Sequence, residues 1–252
     1  MARVENHLIE LLPNADRKRL LALCEPATLA LAEVLYQPGE LVRDVCFPIS
    51  GTVAQVTRLD HHPGLEVGMI GCEGMLGAQL ALGVVRSPLC AVVQGPGIAW
   101  RIGADTFVGE LARSEALRRV VHGYLAACMA QLAVSAACLR FHLIGPRLAR
   151  WLLMRQDRAE GDHFGVTQEF LAQLLGVRRV GITTAAGNLQ RRGLIAYHRG
   201  QLRVLDRAGL EAVACSCYAI DRQAHVGRLS HARDRGASSF VGSRTDAGQV
   251  DR

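Results

Sequence analysis

The chain has 252 residues, half of them hydrophobic, and carries 29 basic against 23 acidic side chains, a formal net charge of +6. This is enough for one large domain or two of ordinary size with a sizeable core. No apolar run of ~18 residues escapes interruption by charge or glycine, and the N-terminus lacks a signal-peptide pattern, so a cytoplasmic protein with no membrane span is expected.

The charge is unevenly placed. Residues 1–110 hold eight basic and twelve acidic side chains, residues 111–165 hold eight and four, and residues 166–252 hold thirteen and seven. All the positive excess therefore lies in the C-terminal half, as expected of a DNA-binding module joined to an acidic one. The eight cysteines, at 24, 46, 72, 90, 128, 138, 215 and 217, lack the paired C-x-x-C blocks of zinc sites. They read as buried structural thiols. Cys215 and Cys217 are placed on a helix, where positions i and i+2 point apart, and no metal site is expected. The cofactor, if any, stays unknown.

In chain order, residues 4–24 read as helical, interrupted at Pro13. From about Thr28 to Ile102, short apolar runs such as Gly51–Thr57 and Leu89–Gln94 alternate with Pro-Gly and Ser-Gly turns. That pattern predicts a β-roll of jelly-roll type. Glu115 to Phe141 predicts one helix of about 25 residues. Along it Leu117, Val121, Tyr124, Cys128, Leu132, Ser135 and Leu139 fall close to a heptad seam, which predicts pairing with a second copy. Gly145-Pro146 ends that helix, and another follows over Arg147–Arg158.

The run Val166 to Leu205 reads as a complete DNA-reading device. Thr167 is suited to cap a first helix, with Glu169 in its first turn and Leu171, Leu174 and Leu175 on its apolar face. Ala172 is small where two helices must cross, and Gly176 ends the helix. In the second helix Ile182, Ala185, Ala186 and Leu189 face inward. Arg178, Arg179, Val180, Thr183, Thr184 and Asn188 are left outside. Arginine suits guanine, asparagine suits adenine, and threonine suits phosphate or a thymine methyl. Leu194–His198 and Gln201–Leu205 around Arg199-Gly200 predict a β-hairpin wing, with Arg199 on phosphate. Six arginines stand in this stretch against Glu169 alone. The partner expected is double-stranded DNA.

A β-roll, one long helix and a winged helix-turn-helix together resemble the Crp/Fnr family of bacterial transcription regulators. The likeness rests on Pro38-Gly39-Glu40, Phe47-Pro48-Ile49-Ser50-Gly51, Gly71-Cys72-Glu73-Gly74, Arg86-Ser87-Pro88 and Thr167–Leu205. The resemblance implies an α+β chain in four parts. Residues 1–112 would be N-terminal helices and a cyclic-nucleotide-binding-like β-roll sensor, 113–144 the dimerisation helix and 145–220 the winged domain; the fourth part, 221–252, rich in Arg, Ser, Gly and Asp with few apolar residues, reads from its composition as a disordered tail. It further implies a homodimer on a palindromic promoter site, contact with RNA polymerase, and control by a small-molecule effector held near Gly77, Arg86, Ser87 and Leu132. Arg86-Ser87 matches the family's phosphate-binding pair. Gly77-Ala78 lacks the ribose-binding carboxylate, and Leu132-Ala133 lacks the hydroxyls that meet the base, so cyclic AMP is not the expected effector. Val180 and Thr184 also depart from the base-reading pattern of the cyclic-AMP-responsive members.

Two other readings remain. A cupin-like metalloenzyme would use His61, His62 and Glu66, but adjacent histidines before Pro63-Gly64 read as exposed turn residues. No nucleophile elbow, P-loop or H-E-x-x-H motif supports an enzyme. A constitutive DNA-binding protein, its β-roll serving only as scaffold, is the other.

Overall fold

The computed structural model describes residues 6–60, 64–158 and 161–223. Two short helices, α1 (His7–Glu10) and α2 (Asn14–Ala22), precede seven strands: β1 (Glu25–Leu29), β2 (Val34–Tyr36), β3 (Asp44–Pro48), β4 (Thr52–Thr57), β5 (Leu65–Ile70), β6 (Cys90–Gly95) and β7 (Gly97–Gly103). They form two antiparallel sheets, ordered β1-β7-β3 and β2-β6-β4-β5. This is the β-roll expected from the turn-rich stretch. Its strands close on a core of Phe47, Val53, Met75, Leu76 and Ile102, and Phe107 of α3 (Ala104–Arg113) packs edge-on against Phe47.

Helix α4 spans Glu115–Phe141, the bounds read from the sequence. Ser114 caps it by accepting from the Leu117 amide. Its seam is corrected, however. Leu117, Val121 and Tyr124 are buried in the β-roll core of the same chain, so no second copy can reach them. The outward row lies one position further on, at His122, Ala126, Met129, Ala133, Ala136 and Arg140. Leu132 and Leu139 of the expected seam remain exposed beside this row, so the correction falls on its first half. By length and composition alone, α4 is apolar enough to cross a bilayer. One side of it is nevertheless tied into the protein through Leu117, Val121, Tyr124 and Cys138.

After α4 come α5 (Ile144–Gln156), β8 (His163–Gly165), α6 (Gln168–Leu174), α7 (Arg179–Arg191), β9 (Ile195–His198), β10 (Gln201–Val204), α8 (Arg207–Val213) and a last helix at 217–223. Pro146 sits in the first turn of α5, where a missing N–H leaves nothing unpaired. The second core runs from Leu148 and Leu152 of α5 through Leu171, Ile182 and Leu202. It continues into Ala54, Val56 and Met69 on the four-stranded sheet. The C-terminal domain is thus packed on the β-roll by a shared core. Helical order reaches beyond residue 220, since Asp221 is buried against Arg150 at 2.6 Å. Most of the expected tail, from 224, lies outside the described residues, as do His61 and His62.

Candidate nucleic-acid interface

Thr167 caps α6, its hydroxyl accepting from the Phe170 amide at 3.1 Å. Gly176 follows at φ +61, the left-handed conformation that lets the chain turn sharply after the helix. Helix α7 then crosses α6 with Ile182, Ala185, Ala186 and Leu189 all buried against Leu171 and Ala172. Burial of a side chain such as Ile182 or Leu189 is worth roughly 1.5–3 kcal/mol. This apolar seam fixes which face of α7 points outward.

The outward face carries the residues expected from the sequence. Arg178, Arg179, Val180, Thr183, Thr184 and Asn188 are all exposed, Val180 at 68%. Thr184 donates to the Val180 carbonyl, while Thr183 donates to Gln168 and to the Arg179 carbonyl. Asn188 accepts from Arg191. Arg179 stands 3.8 Å from Glu169 of α6, a loose surface pair that a stronger anion could displace.

The wing is a two-residue hairpin. Arg199 at φ +48 and Gly200 at φ +77 make the doubly left-handed turn that matches strand twist, with Tyr197 opposite Leu202 in β9–β10. Tyr197 donates to the Val166 carbonyl at 2.7 Å and Gln190 donates to Tyr197, so the wing is fastened to both ends of the helix pair. Arg199 is presented, exposed, at the tip.

A family model for the Crp-like helix-turn-helix domain matches residues 146–213. Residues 146–213 are a Crp-like helix-turn-helix domain. The chain therefore carries the DNA-binding domain of a Crp/Fnr-type transcription regulator. Its fold over the greater part of its length is that of solved Crp/Fnr proteins. FixK2 from Bradyrhizobium japonicum superposes with a TM-score of 0.65 at 14% identity, covering 76% of this chain and 98% of its own. A Crp/Fnr-family regulator from Eubacterium rectale gives 0.65 at 16% identity, covering 84% and 99%. A CRP-family transcriptional regulator from Thermus thermophilus gives 0.61 at 22% identity, covering 75% and 96%. No curated protein is a significant match in sequence.

The Crp-like domain meets the β-roll through arginines whose role the sequence reading missed. Arg147, Arg150, Arg155 and Arg158 of α5 and the turn after it are all buried; Arg155 and Arg158 reach the β-roll, whereas Arg147 donates to the Leu175 carbonyl and Arg150 pairs with Asp221. Arg158 pairs with Glu73 at 2.7 Å, and Arg155 donates to Thr52 and to the Gln94 carbonyl. A Cβ on Gly95 would overlap the Arg155 guanidinium and one on Gly71 the Arg158 stem, so these two glycines make room for the two arginines. Much of the positive excess between 111 and 165 is consumed inside the protein and does not face DNA. Glu66, the third member of the metalloenzyme reading, instead accepts from Trp151 at 3.1 Å and from Gln94 at 2.7 Å. Burial raises its carboxyl to about 7, outweighing those hydrogen bonds and the nearby Arg158 and Arg155.

Neither of the two cavities described below is lined by Gly77, Arg86, Ser87 or Leu132, the four residues expected to hold an effector. Arg86 is exposed and donates to the Gly39 carbonyl, and the Ser87 hydroxyl donates to the Leu89 carbonyl. Gly77, at φ +87, packs against Val45, while Leu132 lies 45% exposed on α4. A small cavity lies elsewhere, lined by Glu66, Gln131, Ser135, Arg150 and Trp151 between β5, α4 and α5. A wider groove separates the β4–β5 hairpin from the helix pair, with Leu59 and Leu65 on one wall and Arg178 and Arg179 on the other.

Proposed function

We propose that the chain acts as a homodimer that reads a palindromic promoter site in double-stranded DNA through α7. Arg179 and Asn188 would meet base edges, Val180 a thymine methyl, and Thr167, Arg178, Thr183, Thr184 and Arg199 would meet phosphate or flanking bases. The observation that carries this reading is the locked orientation of α7. Its apolar side is fully buried, so only its basic and polar side can enter a groove. A second copy would pack along Ala126, Met129, Ala133 and Ala136 of α4, where the three small alanines permit close approach and the exposed Met129 supplies apolar area, with Leu132 and Leu139 at the margin. That pairing would set two reading helices about 34 Å apart, one duplex turn.

The β-roll is the controlling domain in this reading, and RNA polymerase the further partner, in the cytoplasm where promoter DNA is found. The first turn of α7 shares a groove with the β4–β5 hairpin, so a ligand that shifts the β-roll would change access to Arg178 and Arg179. Ala78 and Leu132 cannot accept from a ribose or donate to a purine, which disfavours cyclic AMP as that ligand. Nothing in the reading calls for catalysis. The test is selection of binding sites from random duplex DNA, followed by sedimentation of the protein with the selected site. A palindrome bound by two chains is expected. An asymmetric site bound by one chain, or no enrichment at all, would refute the proposal.

A further inference from the structure

Four side chains of metal-ligand type converge where α4 meets the C-terminal rim of the Crp-like domain. They are Cys138 and His142, one turn apart at the end of α4, and Cys215 and Cys217, which follow α8. Their ligand atoms all lie within 4.8 Å of one another. Cys138 Sγ is 3.6 Å from Cys215 Sγ, and Cys217 Sγ is 3.5 Å from His142 Nδ1. Two ligands at the usual zinc distances on tetrahedral axes stand about 3.8 Å apart for a sulfur pair and about 3.5 Å for sulfur and nitrogen. The 3.6 Å sulfur separation far exceeds the ~2.05 Å of a disulfide bond.

The backbone explains the convergence. Helix α8 ends at Val213, and Ala214 is extended at ψ 152, so Cys215 lies outside any helix and Cys217 opens the next one. The expectation that these cysteines diverge on a helix is therefore corrected. The Cys215 amide donates to the Pro146 carbonyl at 3.4 Å, which holds that loop against the start of α5. The thiols are buried, with the partly exposed His142 beside them.

We propose that Cys138, His142, Cys215 and Cys217 form a tetrahedral site for a thiophilic divalent cation of the zinc class, clamping the end of α4 to the Crp-like domain. On binding, the three thiols release their protons to solvent and the imidazole binds neutral. Three thiolates and a dication leave one negative charge. Arg150, which touches Cys138 and Ser135 and is itself paired with Asp221, stands in place to offset it. Such a clamp would act on the orientation of the reading helix, because α5 and α8 both belong to the second core or its margin.

The test uses the full chain, purified under reducing conditions, stripped with a chelator and titrated with cobalt(II), then zinc(II). One cobalt per chain is expected, with the intense visible bands of a tetrahedral ion and near-ultraviolet thiolate charge transfer, both erased by zinc. Cys215→Ser and Cys217→Ser should each weaken cobalt binding at least tenfold, while Cys24→Ser, in the β-roll, should not. Circular dichroism checks that each variant is folded, and the parent's own spectrum is decisive if one is not. Chelation should also speed amide exchange at 214–218 and leave the β-roll unchanged. A parent protein that takes up no stoichiometric cobalt, or shows a weak octahedral spectrum, would overturn the site. So would iron with labile sulfide in anaerobically purified protein, or a Cys138–Cys215 disulfide. Exchange at 214–218 that ignores the metal would overturn the clamp.

Discussion

The Arg158 guanidinium donates to the Glu73 carboxylate at 2.7 Å, joining the end of α5 to the turn that closes the β-roll, and both side chains are almost wholly enclosed. The pair therefore ties the domain that binds DNA to the domain proposed to control it. Removing one partner would leave a buried charge without its closest counter-ion. Glu73→Ala is expected to cost about 3–5 kcal/mol in urea unfolding. Replacing both residues with apolar ones should cost less than the single change. Equal or additive losses in the double-mutant cycle would show that the two residues are not energetically coupled.

Arg179→Ala should weaken binding to the selected DNA site by about 1–3 kcal/mol and relax preference at one base pair per half-site. Arg199→Ala should weaken all sequences alike and reduce the salt slope by about one phosphate per wing. Fluorescence anisotropy across a salt series separates the two. Unchanged selectivity in Arg179→Ala would mean that α7 does not read bases in the proposed way.

The corrected face of α4 makes a contrast between two substitutions. Met129, 72% exposed, should turn the protein monomeric as Met129→Glu while leaving its melting temperature nearly unchanged. Val121 is fully buried, so Val121→Glu should unfold the β-roll core instead. Sedimentation and calorimetry on both variants check this. A dimeric Met129→Glu protein would place the partner on another face.

Glu66 gives a pH dependence with a definite sign. Its carboxyl titrates near 7 in the folded chain against a usual 4.5, so the folded state holds the proton more tightly. Its stabilising contribution is complete below about 4.5 and is lost as pH rises through about 7. Relative to Glu66→Gln, the parent should therefore lose urea stability across that window and then level off. A parent that gains stability over the same range, or runs parallel to the variant, would contradict the assignment.

Some of this was written in the local pattern. Thr167, Gly176, the inward set Ile182 to Leu189 and the Arg199-Gly200 turn depend on neighbours within a few residues, so capping, periodicity and turn chemistry were enough to place the helix pair and its wing. The bounds of α4 follow for the same reason. Its orientation does not, since a helix apolar on nearly every side gives no periodic signal for which face meets the β-roll. Only the packing of Leu117, Val121 and Tyr124 decided it. The buried arginines of α5 likewise look in sequence like any basic run, until Glu73, Thr52 and Gln94 arrive from a distant sheet. Cys138 and Cys215 lie 77 positions apart, and no local spacing connects them. Short-range stereochemistry made the reading device legible in the chain, whereas the domain junction and the four-ligand cluster exist only once long-range packing brings their parts together.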